Sequence, residues 1–531
     1  MSAARSGIVC GIVRLALIGT TEFGTTRLTS IIQMWLACTC VLLCDRRLPA
    51  TDSSRSGRLS IPHYLMNVTA AVSLALGCRT APGALTPGAD AIVEGTVAAD
   101  VRIDTINAPF GVSVDRARWN SHAISTVKHE FWTDVAVLDV ASAEQDATSL
   151  DQRMFVTALR NLMDSDPEKA AIAFHAIHRT ALDPILRARS RAGLTMALTW
   201  SSDWATIAGL ERDPDSLSFV GNPLTRHAAV ENWAHAFADI PPLSITFSHE
   251  PIILRLRRSS IGTPIARVLI NGQPHEFWLD TGSSMTVVSA DLAVEAGVHL
   301  AANDTLALGV VGGSIDARAA LIDSLSLGGF TARRVTAALV STSLLRLDYS
   351  VEDGKQVPVR IDGVIGSDLL RYMDLVIDAS AGTISIRKPR RNTHDVHVVR
   401  NLFWVGFPVV RLIAHDGRPL LFGLDTGAES TYVTLGLLRK LPRTHVAAWR
   451  RVLGGLGGKK EATEWVATEL AVSDGEYAIG LHNVPIGPEH PWNFVNFDGM
   501  LGSDVALRTR LHLDFENGVF DVRPTVASKA P

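Results

Sequence analysis

The sequence FWLDTGSSMTVVS at residues 277–289 contains an Asp-Thr-Gly tripeptide, and FGLDTGAESTYVT at residues 422–434 contains the same tripeptide again. Each tripeptide follows an apolar, strand-like run and precedes Ser, Thr and β-branched residues that are typical of a second strand. The glycine at its third position allows the backbone to turn tightly. The sequence therefore predicts, twice, a carboxylate on a tight turn between two strands.

The two turns belong to an internal repeat. A shift of 145 positions lays residues 270–282 on residues 415–427 without a gap, so that Asn271-Gly272 falls on Asp416-Gly417. Both dipeptides favour a hairpin turn. A second pair, DGVIGSD and DGMLGSD, is offset by 136, and strand–turn–strand patterns follow at residues 375–386 and 511–522. We interpret these matches as one β-rich unit used twice, with nine residues fewer between the motifs of the second copy.

Composition limits the classes of function. The chain has 531 residues, of which 47% are apolar, so it can hold several domains with large cores. A formal net charge of −4 and the lack of dense Lys/Arg runs argue against a nucleic-acid partner. All five cysteines lie within the first 78 residues and no HExxH motif occurs. We therefore expect no metal site and no cofactor in the main part of the chain.

The first 78 residues have the character of a targeting segment. Residues 66–78 form a short apolar run that ends in Leu76-Gly77-Cys78 and resembles a bacterial lipoprotein signal with Cys78 as the lipidated residue. The alternatives are a plain cleaved signal, or a start codon assigned upstream of the true start at Met66. We predict an exported protein, periplasmic or held at the outer membrane by a lipid on Cys78.

A helical region precedes the repeat. Residues 79–149 carry Pro, Gly and short apolar runs and are left as a linker without an assigned fold. Residues 150–242 show helical spacing, with helix starts at Asp166-Pro167 and Asp183-Pro184, seventeen residues apart. This spacing resembles a short tetratricopeptide-like array, which would bind protein. The alternative is a small helical bundle packed on the repeat.

Two Asp-Thr-Gly turns, each followed by an apolar-apolar-Gly motif (364–366 and 500–502), resemble the aspartic peptidases over residues 243–525. The short units and their Gly-Ser-Asp endings look most like the bacterial retropepsin-like branch. The resemblance implies an all-β bilobal fold, with residues 243–391 as the first lobe and residues 392–531 as the second. It also implies that the lobes face each other across a cleft.

By this resemblance, Asp280 and Asp425 are the catalytic residues at the floor of the cleft. Two carboxyl groups this close cannot both ionise cheaply, so they share one proton and their pKa values split. The ionised partner acts as a base on a water, and the protonated partner polarises the scissile carbonyl. The pKa values belong to the pair, so the sequence leaves open which residue is the base.

Neighbouring residues receive supporting roles from the same resemblance. Thr281 and Thr426 are expected to hydrogen-bond across the pair, while Gly282 and Gly427 let backbone amides approach the carboxylates. A Gly-rich segment lies between the motifs of each copy, at residues 309–313 and 454–458. In retropepsin-like enzymes a mobile hairpin in this place closes over the peptide. A simple hairpin turn is the alternative, and the candidate flap residues are Gly312, Gly313, Gly457 and Gly458.

Two expectations concern other polar side chains. The hydroxyl of Ser283 is expected to donate to Asp280, whereas Ala428 cannot do the same for Asp425. This difference predicts a lower intrinsic pKa for Asp280. The repeated acids of the Gly-Ser-Asp endings are interpreted as N-caps of short helices rather than as catalytic groups.

Two functions remain open at this point. The first is an aspartic endopeptidase that hydrolyses a peptide or protein substrate. The second is a non-catalytic peptide-binding or scaffold lipoprotein that uses the same cleft and the helical domain. Both Asp-Thr-Gly tripeptides are intact, which favours the enzyme, because a degenerate copy would lose an Asp first. Pairing of each lobe with a second chain is disfavoured because two complete copies already stand in tandem.

Overall fold

The computed structural model describes residues 105–106, 111–116, 129–210, 224–310, 313–345, 348–352, 355–391, 400–441, 444–455, 458–487, 489, 491–492 and 494–524. The predicted targeting segment with Cys78 and the candidate flap residues Gly312 and Gly457 lie outside these ranges. The described part of the chain is largely β, with its longer helices in the N-terminal region. None of the helices in these ranges is long and apolar enough to cross a membrane.

The N-terminal region contains short strands and a series of helices. Its elements are β1 (Thr105–Ile106), β2 (Gly111–Arg116), α1 (Phe131–Ala136), α2 (Val140–Asp146), α3 (Leu150–Met163), α4 (Pro167–Thr180), α5 (Pro184–Trp200), α6 (Trp204–Ala208) and α7 (Leu224–Phe237). The two predicted acid–proline starts are present, since Asp166 and Asp183 accept backbone N–H groups at the N-termini of α4 and α5. Among the described residues, helical structure begins at Phe131, ahead of the predicted residue 150, because α1 and α2 are too short to show a clear helical period.

The first copy of the repeat forms one large sheet and a hairpin. Its elements are β3 (Ser244–Phe247), β4 (Ile252–Arg255), β5 (Arg257–Arg258), β6 (Pro264–Ile270), β7 (Gln273–Leu279), β8 (Thr286–Ser289), α8 (Ala290–Glu295), β9 (His299–Val310), β10 (Gly313–Leu327), β11 (Phe330–Val340), a 3-10 helix (Thr342–Leu344), β12 (Asp348–Glu352), β13 (Lys355–Val359), β14 (Gly363–Ile365), α9 (Ser367–Leu370), β15 (Asp374–Asp378) and β16 (Thr383–Arg387). The strand order of the sheet is β3-β11-β8-β14-β7-β6-β10-β9, and β5 pairs with β6.

The second copy repeats this arrangement. Its elements are β17 (Leu402–Trp404), β18 (Pro408–Ala414), β19 (Pro419–Leu424), β20 (Tyr432–Thr434), α10 (Leu435–Lys440), β21 (Val446–Gly455), β22 (Gly458–Ser473), β23 (Tyr477–Gly487), β24 (Pro491–Trp492), β25 (Val495–Asn496), β26 (Gly499–Leu501), α11 (Asp504–Leu507), β27 (Thr509–Asp514) and β28 (Val519–Pro524). In both copies the strand of the apolar-apolar-Gly motif lies between the two strands that flank the Asp-Thr-Gly turn, parallel to the first and antiparallel to the second.

A separate five-stranded sheet joins the two copies. Its order is β28-β27-β15-β16-β4, and the copies meet where β15 pairs antiparallel with β27. Along β15 and β16 every second residue is buried, so one face of these strands packs on the core, and the other face carries mostly polar side chains. One apolar core cluster contains residues of both copies, among them Leu279 and Leu424.

The described residues between 79 and 149 include β1, β2, α1 and α2, and both strands pair with the second copy. β2 pairs antiparallel with β23 along six residues, as β3 pairs with β11 in the first copy. β1 pairs with β21. A six-residue edge strand has no sequence pattern of its own that identifies its partner, so this pairing could not be predicted.

Helices α3 and α5 pack against the second copy. Phe155 of α3 contacts Phe494 edge-on at 5.5 Å, within a cluster that also contains Phe403 and Leu421. At the end of α5, Trp200 lies 5.3 Å from Trp404. This shared core fits the interpretation of a bundle packed on the repeat. The protein-binding role of a tetratricopeptide-like array remains a prediction.

Candidate active site

Each Asp-Thr-Gly turn is attached to the motif strand beside it. The backbone N–H of Asp280 donates to Ile365 O at 3.0 Å, and the N–H of Asp425 donates to Leu501 O at 2.9 Å. Both acids follow directly on an apolar strand, β7 or β19, which ends at the turn. The same local sequence therefore produces the same turn in both copies.

The two turns are hydrogen-bonded to each other through their threonines. The N–H of Thr281 donates to Thr426 Oγ1 at 3.0 Å, and the N–H of Thr426 donates to Thr281 Oγ1 at 3.0 Å. The hydroxyls donate onward to Leu424 O and Leu279 O, each at 2.9 Å. Both threonines are buried, so each of these four bonds satisfies a group that water does not reach. This network brings Asp280 and Asp425, 145 positions apart in sequence, to one place.

Backbone amides surround both carboxylates. Asp280 Oδ1 accepts from the N–H of Gly282 at 2.8 Å and of Ser283 at 3.2 Å. Asp425 Oδ1 accepts from the N–H groups of the two residues that follow Thr426, both at 3.0 Å. A side chain at Gly282 would overlap the Asp425 carboxyl group, so only glycine permits this approach of the two turns.

The electrostatics of the pair follow from burial and proximity. Burial raises the pKa of Asp280. Burial and the nearby charge of Asp280 raise the pKa of Asp425 well above its ordinary value. Asp280 Oδ2 is buried, and the carboxyl groups of Asp280 and Asp425 lie within hydrogen-bonding reach of each other. Two carboxyl groups in this setting are stabilised when one proton is shared between them.

The expected bond from Ser283 to Asp280 is not made. The Ser283 hydroxyl donates to Met285 O at 2.7 Å instead. The backbone N–H of Ser283 contacts Asp280, and Ala428 offers the same N–H to Asp425. The Ser283 hydroxyl therefore does not lower the pKa of Asp280, because it donates within its own loop.

The N-cap interpretation of the repeated acids is also wrong. Neither α9 nor α11 has a side-chain cap. Asp368 Oδ1 instead accepts from the Thr286 hydroxyl at 3.1 Å, and Asp504 Oδ1 accepts from the Thr431 hydroxyl at 2.7 Å. Burial raises the pKa of both acids to about 6. The sequence holds a signal for this Thr–Asp pair, since both of its members recur at the repeat offsets.

The Gly-rich segments lie at the ends of long hairpins. Strands β9 and β10 pair up to Val310 and Gly313, and strands β21 and β22 pair up to Gly455 and Gly458. Gly313 and Gly458 therefore begin the returning strands. A flap role for these hairpins remains a prediction. Within the described ranges, no group of three or more His, Cys, Asp or Glu side chains is arranged to hold a metal ion.

Comparison with known proteins identifies one family. Residues 266–369 match the aspartyl protease family, and this segment includes Asp280 and the motif Val364-Ile365-Gly366. A crystal structure of a retropepsin-like aspartic protease from Rickettsia conorii is similar over 27% of this chain and 92% of that chain, at 15% identity and a TM-score of 0.19. No curated protein matches the sequence. The family match supports a general aspartic protease function.

Proposed function

We propose that the protein is an aspartic endopeptidase whose catalytic pair is Asp280 and Asp425. The observation that carries this proposal is the reciprocal hydrogen bonding of Thr281 and Thr426, which holds the two carboxyl groups together in a buried site. We propose further that the sheets of the two copies are the two lobes of a bilobal fold, with the substrate cleft between them.

The proposed reaction uses one proton and one water. With a single proton on the pair, the ionised carboxylate removes a proton from a water as that water attacks the peptide carbonyl. The protonated carboxyl donates a hydrogen bond to the carbonyl oxygen, which gains negative charge, and a proton then passes to the leaving amine. The backbone amides of Gly282 and Gly427 donate to the carboxylates of their own turns and keep them in place. The proposed reaction requires neither a metal nor a covalent intermediate.

The raised pKa values set the expected pH range of activity. The singly protonated pair is lost when both acids ionise at higher pH, and it is lost again when both are protonated at lower pH. Because burial raises both pKa values, the upper limit of activity should lie well above the ordinary aspartate pKa of 3.8.

The test is hydrolysis of fluorescein-labelled casein by the full chain from pH 3 to pH 8. We expect a bell-shaped profile and no hydrolysis by a chain that carries both Asp280→Asn and Asp425→Asn. A folded wild-type chain that binds casein without cleaving it would favour the non-catalytic peptide-binding alternative. Hydrolysis by the double variant would eliminate the proposed pair.

Export and lipid attachment at Cys78 form a separate proposal that rests on the sequence alone. Detergent-phase partitioning of the wild-type chain and of Cys78→Ser in a bacterial host would test it. We expect the wild type in the detergent phase and the variant in the aqueous phase. Equal partitioning would remove the proposed lipid.

A further inference from the structure

Helix α7 makes a specific polar contact with the first hairpin, which consists of β9 and β10. The indole Nε1–H of Trp233 donates to Ala307 O at 3.1 Å. Trp233 is only 4% exposed, so its indole N–H is largely shielded from water and needs a partner within the protein. Strand β9 is the edge strand of its sheet, and the carbonyl of an edge strand needs a partner from outside the sheet.

An apolar cluster extends this contact toward the catalytic turn. Trp233 stacks on Phe237 at 5.7 Å with an interplanar angle of 29°. The cluster around these rings contains Leu306 and Leu308 of β9 and Ile315 of β10. It also contains Trp278 and Met285, which lie on either side of the first Asp-Thr-Gly. One continuous core therefore contains helix α7, the arms of the first hairpin and the segment next to Asp280.

The other side of α7 is attached to the helical region. Glu231 forms an ion pair with Arg191 of α5 at 2.7 Å, and both side chains are largely buried. Phe237 contacts Trp204 of α6 at 5.5 Å. Because α5 also packs on the second copy through Trp200 and Trp404, helix α7 connects the first hairpin to a body that rests on the second copy.

The second hairpin, β21 and β22, has a different neighbour. Strand β1 lies beside it and pairs through Thr105 and Ile106 with Ala448 and Trp449. A two-residue strand contributes few backbone hydrogen bonds, and no aromatic ring contact joins it to the hairpin among the described side chains. Among the described residues, the first hairpin packs against helix α7 and the second pairs with strand β1. The two Asp-Thr-Gly turns, by contrast, make the same hydrogen bonds.

We propose that Trp233 is a positioning residue that holds the first hairpin at a defined distance from Asp280 and so sets the affinity for the peptide substrate. The inference rests on the proposed function, both for the identity of the bound molecule and for the flap role of the first hairpin. Trp233 does not touch the carboxyl pair, so its loss should weaken substrate binding and leave the chemical step intact. The helical region thereby becomes part of the substrate site rather than a separate module.

The test replaces Trp233 by Phe in the full chain. This variant keeps an aromatic ring and removes the N–H donor. We expect amide hydrogen exchange in residues 299–310 to become about fivefold to tenfold faster, the size that fits one lost hydrogen bond. KM for labelled casein should rise by a similar factor while kcat stays within about twofold. Trp132→Phe is the matched control, because Trp132 packs on Phe155, away from the first hairpin.

A second measurement separates this inference from the proposed function. In chains that carry Asp280→Asn, we expect Trp233→Phe to weaken the binding of labelled casein about fivefold to tenfold, and Trp132→Phe to leave it unchanged. Weakened binding supports the positioning role even if the wild-type chain proves unable to cleave. Unchanged exchange, unchanged binding, absence of casein binding, or a fall in kcat with constant KM would each overturn it.

Discussion

The two copies of the repeat are most alike at the Asp-Thr-Gly turns, where they meet, and they differ in the segments outside these turns. At the turns, Asp, Thr and Gly occupy the same positions and make the same hydrogen bonds. The next residue differs, Ser283 against Ala428, and the Ser283 hydroxyl donates to Met285 O rather than to a carboxylate. The junction therefore depends on backbone amides and two threonine hydroxyls, so the residue after each glycine can vary.

The buried acid ahead of each motif strand shows the opposite behaviour. Asp362 pairs with His275 at 3.1 Å and with Arg360, whereas Asp498 pairs with Lys440 at 2.7 Å. The backbone N–H of Asp362 donates to Glu276 O in β7, and that of Asp498 donates to the equivalent Leu421 O in β19. The equivalent carboxylate is therefore held by different side chains in the two copies.

The shorter spacing of the second copy also has a structural location. In the first copy, the interval between β11 and β14 contains the 3-10 helix and the hairpin of β12 and β13. In the second copy, the interval between β23 and β26 contains only β24 and β25 among the described residues. The difference changes one surface of the first copy and leaves the junction unchanged.

Single substitution of the paired acids should have the largest effect and should be equal in the two copies. We expect Asp280→Asn and Asp425→Asn each to lower kcat by about a thousandfold or more, because acid and base functions are lost together. The double variant should be no worse than either single one. Initial rates on labelled casein measure this, and Asp378→Asn serves as a control at a turn. A tenfold difference between the two single variants would break the equivalence of the copies.

Removal of the threonine hydroxyls should destabilise the junction from either side. Thr281→Val and Thr426→Val each leave a buried N–H without its acceptor, at a cost of about 1–3 kcal/mol in the free energy of unfolding. Thr→Ser should restore most of the stability, since it keeps the hydroxyl. Urea unfolding of both single variants and of the double variant measures the coupling between the sites. Additive losses would show that the two hydroxyls do not act as a network.

The pH dependence of stability tests the second matched pair. Burial raises the pKa of Asp504 to about 6 from an ordinary value of 3.8, so the folded state holds its proton more tightly than the unfolded state. The stability from this group is fully present below about pH 4 and is lost as pH rises through about 6, by roughly 1–3 kcal/mol. Asp504→Asn should flatten this slope, and Asp368→Asn should do the same in the first copy.

The turn acid Asp378 provides a control of opposite sign. Burial acts to raise its pKa, but hydrogen bonds from Ser380 and Ala381 outweigh burial and lower it. Its stabilising contribution is present above about pH 4 and disappears as the pH falls. If Asp504→Asn steepened the loss of stability between pH 4 and 6, the assignment of a raised pKa would be wrong.

The smallest effect is expected at the position where the copies differ. Ser283→Ala removes a hydroxyl that bonds to Met285 O, so we expect a loss of about 1 kcal/mol or less in the free energy of unfolding. The pH profile of kcat should not move, because the N–H of residue 283 remains on Asp280. Ala428→Ser is the reciprocal variant. A shift of the acid limb in Ser283→Ala would restore the hydroxyl as a partner of Asp280.

Much of the β part could be predicted because its signals are local. The hairpin at Asn271-Gly272, the strand that ends at Asp280 and the strand–turn–strand pattern at residues 375–386 all appear where the sequence indicates. Period-two alternation and turn residues act over a few positions, so they can be read without tertiary information. The repeat offset also relates Asp280 to Asp425 directly.

Other features could not be predicted because they depend on contacts between distant segments. The direction of the Ser283 hydroxyl depends on which acceptor is nearer once the loop closes. The pairing of β2 with β23 joins residues more than 360 positions apart, and nothing in a six-residue strand specifies that partner. The bond from Trp233 to Ala307 likewise needs helix and sheet to be in place first.

By itself, the sequence determined two equivalent acidic turns and the units that carry them, because tight turns and strands are encoded by neighbouring residues. Only the tertiary structure decided that the threonines of these turns hydrogen-bond to each other in one buried site. It also decided that the first hairpin packs against helix α7, whereas the second pairs with strand β1. The physical reason is that burial and hydrogen-bond partners are properties of the folded chain. Only there are the carboxyl groups of Asp280 and Asp425 desolvated and brought next to each other.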